Sequence, residues 1–167
     1  MIRTGIGYDS HRFAEGRRFV LGGVEIPSDV GLLGHSDADA LIHALIDALL
    51  GAVAAGDIGQ HFPDSDPTWK DADSRKLLAT VVSELEAGRW RVVNVDATVV
   101  AERPKLAPFI VRMRESLATI LHVEVSRVSV KAKTNEGMDA VGHREGLAVW
   151  AVATVESPPE GNAPQDF

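Results

Sequence analysis

The chain has 167 residues, of which 45% are hydrophobic and 25% charged, a balance typical of a folded domain with its own core. The formal net charge of −7, with lysines and arginines scattered along the chain, argues against a nucleic-acid-binding face. Because cysteine is absent, disulfides, thiolate nucleophiles and cysteine-ligated zinc are excluded. Any bound metal must therefore be held by histidine and carboxylate side chains.

No apolar run is long enough to predict a membrane span, and the first residues lead into strand-like sequence without the apolar segment of a signal peptide. We therefore expect a cytoplasmic protein with a single domain at residues 1–157. Residues 158–167 have the proline-, glycine- and polar-rich composition of a flexible C-terminal tail.

The first predicted strand covers residues 3–8 and leads into Asp9, Ser10 and His11. If the extended backbone continues, its period of two places Asp9 and His11 on one face and Ser10 on the other. An Asp-x-His pair suits a divalent cation such as zinc, and a third ligand from elsewhere would leave one tetrahedral position open. The alternative is that both residues simply form a turn at the end of the strand.

Two apolar runs around Gly22-Gly23, within residues 18–27, predict a structural β-hairpin. A helix is predicted over residues 38–55, which are rich in alanine and leucine and lack proline. His43 lies inside this helix, and Asp39 and Asp47 share its face from four residues to either side. The pattern is typical of a metal ligand whose ring is oriented by carboxylates; a solvated acidic stripe is the alternative.

Residues 56–67 form a loop too long, and too rich in glycine, proline and aspartate, for a simple connector, which favours a functional role. Helices and strands alternate beyond it. The predicted helices are residues 71–87 and 109–121, the strands are residues 90–100, 126–133 and 146–156, and a stiff loop with two prolines covers residues 101–108.

This order of elements predicts an α/β (α+β) fold: a mixed four-stranded sheet with helices on one face, plus the small β-hairpin. The last strand is apolar on both faces, since Leu147 and Val149 alternate with Trp150 and Val152. One helical layer cannot bury both faces, so we expect association through the sheets in a closed symmetric oligomer. A fully buried central strand in a monomer is the alternative.

Seven short motifs occur together along the chain. They are Asp9-x-His11, Gly34-His35-Ser36-Asp37, His43, Asp57-Ile58-Gly59, Phe62-Pro63-Asp64-Ser65-Asp66, Ala101-Glu102-Arg103-Pro104-Lys105 and Lys131-Ala132-Lys133-Thr134-Asn135-Glu136. In this order and spacing they resemble the 2-C-methyl-D-erythritol 2,4-cyclodiphosphate synthases of the non-mevalonate isoprenoid pathway. The resemblance extends from about residue 2 to residue 156. Each motif is modest alone, but their joint occurrence is highly specific.

The resemblance implies a single catalytic domain that forms a homotrimer whose sheets face a central apolar cavity. Active sites then lie between subunits, one subunit supplying the zinc and the next the cytidine pocket. The zinc ligands implied are Asp9, His11 and His43, with a phosphate oxygen of the substrate in the open position. A Mg²⁺ (or Mn²⁺) ion bridging the substrate phosphates is implied at Glu136.

The implied reaction converts 4-diphosphocytidyl-2-C-methyl-D-erythritol 2-phosphate into the cyclic 2,4-diphosphate and CMP. The nucleophile is the substrate's own 2-phosphate, so no serine or cysteine nucleophile is required. His35 and Thr134 match the positions that stabilise the transition state. The residues implied to bind substrate are Asp9, His11, His35, Ser36, Asp57, Ile58, Gly59, Phe62, Pro63, Asp64, Ser65, Asp66, Ala101, Glu102, Arg103, Pro104, Lys105, Leu106, Ala107, Lys133, Thr134, Asn135, Glu136, Ala140 and His143.

The match departs from the common pattern at two of these positions. Many relatives have an aromatic residue where Ala140 stands and an arginine where His143 stands, facing the trimer cavity or the substrate. Two other functions remain open. A metal-dependent phosphoesterase with a water nucleophile would release inorganic phosphate, and a trimeric zinc-containing protein that binds nucleotide or isoprenoid diphosphate would form no product.

Overall fold

The computed structural model describes residues 1–158, so the predicted tail lies, apart from Pro158, outside the described residues. The described part has a mixed α+β fold with one large sheet and a separate two-stranded hairpin. The strands are β1 (Ile2–Ala14), β2 (Val20–Leu21), β3 (Val24–Glu25), β4 (Gly31–Leu32), β5 (Arg91–Val100), β6 (Val128–Lys133) and β7 (Gly146–Glu156). The helices are α1 (Ala40–Ala52), α2 (Ile58–His61), α3 (Ser74–Ala87), α4 (Ile110–Leu121) and α5 (Asp139–Gly142), with single 3₁₀ turns at Pro67–Trp69, Ala107–Phe109 and Val125–Arg127.

The large sheet has five strands in the order β4, β1, β7, β5, β6, so the predicted number of four is wrong. The fifth strand exists because β1 continues past Asp9 and His11 as far as Ala14. Its last two residues, Phe13 and Ala14, then pair with the two-residue strand β4. The mixed character is confirmed, since β5 and β6 run parallel while β7 pairs antiparallel with both β1 and β5.

Aspartate side chains define where two of the helices begin. Asp39 accepts a hydrogen bond from the backbone N–H of Ile42, so α1 begins at Ala40 rather than at residue 38. Asp73 does the same for Arg75, so α3 begins at Ser74 rather than at residue 71. The hairpin is as predicted, with φ values of 58° and 73° at its central glycines, and β7 has the predicted bounds.

Helix α1 packs against β1 with almost no space between the two backbones. Gly5 and Gly7 face the helix, and a Cβ atom on Gly7 would lie 1.9 Å from the carbonyl oxygen of Ala44. A Cβ atom on Gly5 would lie 2.1 Å from the carbonyl oxygen of Ala48. The two alanines and two glycines therefore allow a contact that no larger side chains would permit, and this contact brings His43 to the end of β1.

The other face of the sheet is uncovered in the single chain. Ile6 and Tyr8 of β1 are 69% and 51% exposed, and Trp150 and Val152 of β7 are 45% and 39% exposed. The opposite face of β7 is buried against the helical layer. Of the two apolar faces of the last strand, one is thus buried against the helices and the other is exposed in the single chain. Among the described residues, no helix has the length and hydropathy needed to cross a bilayer.

We expect Gly7→Ala to lower the stability by about 3 kcal/mol and to separate α1 from β1, because the added methyl group overlaps the backbone of α1. Thermal unfolding at fixed protein concentration would measure the change. Gly51→Ala is the matched control: Gly51 lies in α1, across the same contact, its Cβ would meet only Ile6 O at 3.9 Å, and the change should stabilise the helix by about 1 kcal/mol. Equal unfolding temperatures for Gly7→Ala and wild type would contradict this packing.

Candidate active site

Three side chains converge where β1 meets α1. Asp9 and His11 point from one face of β1, as the strand period predicts, and His43 comes from the first turn of α1. Asp9 Oδ2 lies 2.9 Å from His11 Nε2 and 3.0 Å from His43 Nδ1, and the two ring nitrogens are 3.3 Å apart. Two neutral imidazoles and one carboxylate are the donor set that zinc prefers when cysteine is lacking.

The spacing of these donor atoms also suits a tetrahedral ion. Metal bonds of roughly 2.0–2.1 Å at tetrahedral angles place neighbouring ligand atoms about 3.3 Å apart. The observed separations of 2.9 to 3.3 Å require only a small expansion to reach that value. The three residues are therefore arranged as the ligands of a single divalent cation, as the resemblance implies.

Hydrogen bonds on the far side of each ring determine which nitrogen faces the other ligands. His11 Nδ1 lies 2.7 Å from the carbonyl oxygen of Leu33, which can only accept, so Nδ1 carries a hydrogen, and in the neutral ring Nε2 has the lone pair for a metal ion. His43 Nε2 lies 2.9 Å from Ser74 Oγ, whose hydrogen is donated to Asp37, and 3.1 Å from Ser36 Oγ. The Ser74 oxygen therefore accepts from Nε2–H, and in the neutral ring the lone pair of His43 Nδ1 points at the site.

Asp39 and Asp47 were predicted to orient the His43 ring, and this prediction is wrong because both carboxylates bind backbone N–H groups instead. Asp39 is fully buried, and its oxygens accept from the backbone N–H groups of Gly22 (2.9 Å) and Gly23 (2.7 Å), which fastens the hairpin to α1. Asp47 accepts from the N–H of Ile58 at 2.8 Å and so holds the start of α2. The helical spacing correctly predicted the face of α1 on which both residues lie, but it could not predict which backbone N–H groups from other segments approach them.

The charge distribution favours a cation at the triad. Burial alone raises the pKa of Asp9, but hydrogen bonds from His11 and His43 outweigh burial and bring this pKa down to about 2. Burial lowers the pKa of His11, but the hydrogen bond and negative charge of Asp9 reverse this and raise it overall. The lowered pKa of Asp9 keeps its carboxylate ionised, so the triad presents a negative charge to a divalent cation.

A cavity of about 370 Å³ opens over the triad. His35 lines it, and its Nε2 is buried without a hydrogen-bond partner, which marks a place for a ligand atom. The predicted residues that line this cavity are Asp9, His11, His35, Ser36, His43, Ile58, Gly59, Phe62, Pro63 and Asp64. Asp57, Ser65 and Asp66 lie outside the lining; Asp57 caps α2 and Asp66 caps the turn that follows.

The remaining predicted residues form a second group beyond the ends of the parallel strands β5 and β6. Ala101 N–H donates to Lys133 O at 2.9 Å, and Glu102 accepts from the N–H groups of Asn135 (2.9 Å) and Gly137 (3.3 Å). Thr134 donates its hydroxyl hydrogen to Glu136. Among the described residues, the cavity over the triad is lined by none of the residues at 101–107 or 133–136.

Ala140 and His143 lie at α5, and both are exposed. Ala140 borders a second cavity of about 590 Å³, which lies beside Tyr8 and Trp150 on the uncovered sheet face and is also lined by His11 and Asn135. His143 is the C-cap of α5. The second cavity therefore joins the uncovered sheet face to one residue of the triad and one residue of the second group.

Three residues of the site were not predicted from the sequence. They are Ser74, Arg17 and, in its role as a hydrogen-bond acceptor, Asp37. Ser74 is fully buried and contacts a histidine 31 positions away, and Arg17 contacts the loop that contains His35. No spacing rule connects residues so far apart. The only local signal was the cluster of aspartates around Ser74, which indicated a helix start.

The fold and the triad together define the class: a mixed α+β protein with a candidate divalent-cation site of two histidines and one aspartate between a strand and a helix. Residues 2–156 match the model of the YgbB family, and the chain belongs to this family. It is 57% identical over 155 residues to a 2-C-methyl-D-erythritol 2,4-cyclodiphosphate synthase of Syntrophomonas wolfei, a match covering 93% of this chain and 99% of that protein.

Solved structures agree with this assignment. The bifunctional IspDF from Campylobacter jejuni superposes with a TM-score of 0.91 at 39% identity over 95% of this chain, which spans 43% of that longer protein. A 2C-methyl-D-erythritol-2,4-cyclodiphosphate synthase in a CDP-bound form superposes with a TM-score of 0.85 at 39% identity, covering 92% of this chain and 100% of that one. The family resemblance predicted from the motifs is confirmed.

We expect Ser74→Ala to weaken the binding of added Zn²⁺ by about tenfold, because it removes the shorter of the two outer contacts of His43 Nε2 and leaves only Ser36 Oγ at 3.1 Å to orient the ring. Competition with a chromophoric chelator measures the affinity directly. Ser83→Ala is the matched control, since Ser83 lies on the same helix, is exposed and bonds only its own helix at Ala79. Equal affinities in the two variants would contradict the role of Ser74.

Proposed function

We propose that this chain converts 4-diphosphocytidyl-2-C-methyl-D-erythritol 2-phosphate into 2-C-methyl-D-erythritol 2,4-cyclodiphosphate and CMP by metal-assisted intramolecular phosphoryl transfer. The observation that carries the proposal is the triad of Asp9, His11 and His43 in one cavity with the unpartnered Nε2 of His35. Membership of the YgbB family and the synthase activity named for its relative support the same reaction.

Two metals have places in this proposal. Zn²⁺ is assigned to Asp9, His11 and His43, whose nitrogen and oxygen donors it prefers, and Mg²⁺ (or Mn²⁺) to the exposed carboxylate of Glu136, since Mg²⁺ keeps most of its waters and needs few protein ligands. When bound, these ions supply positive charge to the substrate phosphates.

The side chains contribute positioning and hydrogen bonds. Because the attacking oxygen belongs to the substrate's 2-phosphate, the chain has only to align two phosphates and balance the charge on their oxygens. His35 has a free ring nitrogen in the cavity for a phosphate oxygen. Thr134, whose hydroxyl donates to Glu136 in the free chain, is the second catalytic residue proposed.

The two ends of the substrate are assigned to different segments. Asp57, Ile58 and Gly59 with residues 62–66 are proposed to hold the erythritol, since most of them line the cavity over the triad. Residues 101–107 are proposed to bind cytosine through backbone groups, with Lys133 and Asn135 nearby. A CDP-bound relative supports a cytidine pocket in this fold.

We further propose a homotrimer in which one subunit supplies the triad and its neighbour supplies residues 101–107. The nucleotide-binding group does not line the triad's cavity in the described residues of one chain, which supports a site completed by a second copy. The uncovered apolar face around Ile6 and Trp150 supports association through the sheets. Residues 1–157 are proposed as the catalytic domain, with Ala140 and His143 near the central cavity.

We expect purified protein to release CMP from the cytidylyl substrate, to stop when a chelator removes divalent ions, and to recover when Zn²⁺ and Mg²⁺ are returned. Chromatography of CMP and phosphate measures the products. His43→Ala should lose Zn²⁺ and CMP release while the trimer remains, whereas His122→Ala, an exposed histidine paired with Glu86, should be fully active.

Absence of CMP with both metals present, or release of inorganic phosphate in its place, would overturn the proposed reaction. Loss of metal and trimer together in His43→Ala, without turnover by the wild type, would instead favour the binding-protein function.

We expect Ile6→Glu to prevent trimer formation, because an interface through this face would bury an unpaired charge. Sedimentation analysis measures the oligomer, and CMP release should fall with it while Zn²⁺ stays bound. Val111→Glu is the control, since Val111 is an apolar residue of α4 that is 57% exposed and far from the sheet face in the fold. An Ile6→Glu protein that remains trimeric would contradict this interface.

A further inference from the structure

Arg17 lies in the segment between β1 and β2, and its side chain reaches the loop that carries His35. Its Nη2 donates to the carbonyl oxygen of Gly34 at 3.1 Å and to that of Ser36 at 2.8 Å. Its Nε lies 3.4 Å from the carbonyl oxygen of Leu32. One guanidinium group therefore holds the peptide oxygens on both sides of His35.

The oxygen between these two has its own partner. The carbonyl of His35 accepts from the backbone N–H of Asp71 at 2.9 Å, and the Asp71 carboxylate lies 3.4 Å from Nη1 of Arg17. Gly34, His35 and Ser36 thus have all three carbonyls fixed by Arg17 and Asp71. A loop of this length would otherwise depend on water for these bonds.

The ring of His35 lacks an equivalent restraint. In the hydrogen bonds of residues 1–158 its ring nitrogens take no part, and Nε2 is buried beside the triad without a partner. The direction of this nitrogen is therefore determined by the backbone from which the ring projects. A small rotation of the peptide groups at residues 34–36 would turn Nε2 away from the cavity.

We propose that Arg17 is a positioning residue that aims His35 at the reacting phosphate, an inference that rests on the function proposed above. Arginine suits this task because its rigid, planar fork donates to several oxygens at once. Lysine has one compact ammonium group, which cannot bind the same carbonyl oxygens in a fixed plane. Arg17 makes no hydrogen bond to the three proposed zinc ligands. The loop that it holds also carries Leu33 O and Ser36 Oγ, which contact His11 and His43, so zinc content is measured beside kcat to separate an effect on His35 from one on the metal.

The test compares two neighbouring arginines. Arg17→Ala should lower kcat for CMP release by about 10- to 100-fold, the effect of misaligning a catalytic group by about 1 Å, and leave KM and Zn²⁺ content near those of the wild type. Arg18→Ala removes the same charge one residue away, where the side chain is 71% exposed and faces only Glu25 at 3.5 Å, and should keep the wild-type kcat. Hydrogen exchange of residues 32–37 should quicken in Arg17→Ala only.

Arg17→Lys keeps the charge and most of the side chain, and it serves where the alanine variant does not fold. It should lose part of kcat with unchanged zinc content and oligomeric state. Equal kcat values for the Arg17 and Arg18 variants would overturn the proposal, as would a loss of kcat that follows the loss of zinc. Each measurement includes the wild type, so failure of the proposed reaction shows as absence of CMP in the wild type itself.

Discussion

The structure depends on the contact between two backbones, that of α1 and that of β1. Histidine has a short side chain, and His43 reaches Asp9 and His11 only because the helix lies directly on the strand. Gly5 and Gly7 leave no side chain in the way, and the helix presents alanines at the contact. The triad, the cavity above it and the loop around His35 all take their positions from this one packing contact. A bulkier residue at either glycine would push α1 away from β1 and so separate His43 from Asp9 and His11, although it would contact none of the three side chains.

The triad is prepared for a cation by bonds that point away from it. Leu33 O accepts from the outer nitrogen of His11, and the outer nitrogen of His43 contacts Ser74 and Ser36, so in the neutral rings both inner nitrogens direct their lone pairs at the same point. The carboxylate of Asp9 stays ionised there, with its pKa held low by the two imidazoles despite burial. The separations of 2.9 to 3.3 Å among the three donor atoms are already close to those that a tetrahedral ion requires, so the triad is preorganised for a divalent cation.

The sequence predicted those parts of the site that depend on the periodicity of a strand or on a local motif. The strand period placed Asp9 and His11 together, and the motifs located the cavity loops, because both are local properties. It misassigned Asp39 and Asp47, because helical spacing gives the face of a side chain and not the backbone donors that approach it from other segments. β4 was missed because a two-residue strand has no pattern, and Ser74 and Arg17 because their partners are brought to them only by the completed fold.

The pairing within the sheet bears on the proposed homotrimer, in which the two halves of a site on one chain would serve different sites. Asp9 of β1 and Val99 of β5 are both paired with Val149 of β7, so the triad and the loop that follows β5 lie at the same end of the sheet. Their separation across two strand spacings, about 10 Å, is fixed by the hydrogen-bond ladder. Rotation about a symmetry axis does not change the position of a residue along that axis. The triad of one copy can therefore meet residues 101–107 of the next copy only if both lie at the same position along the axis. In the proposed homotrimer, with the strands along the symmetry axis, the shared partner on β7 would satisfy this condition, and every site would form at one end of the molecule.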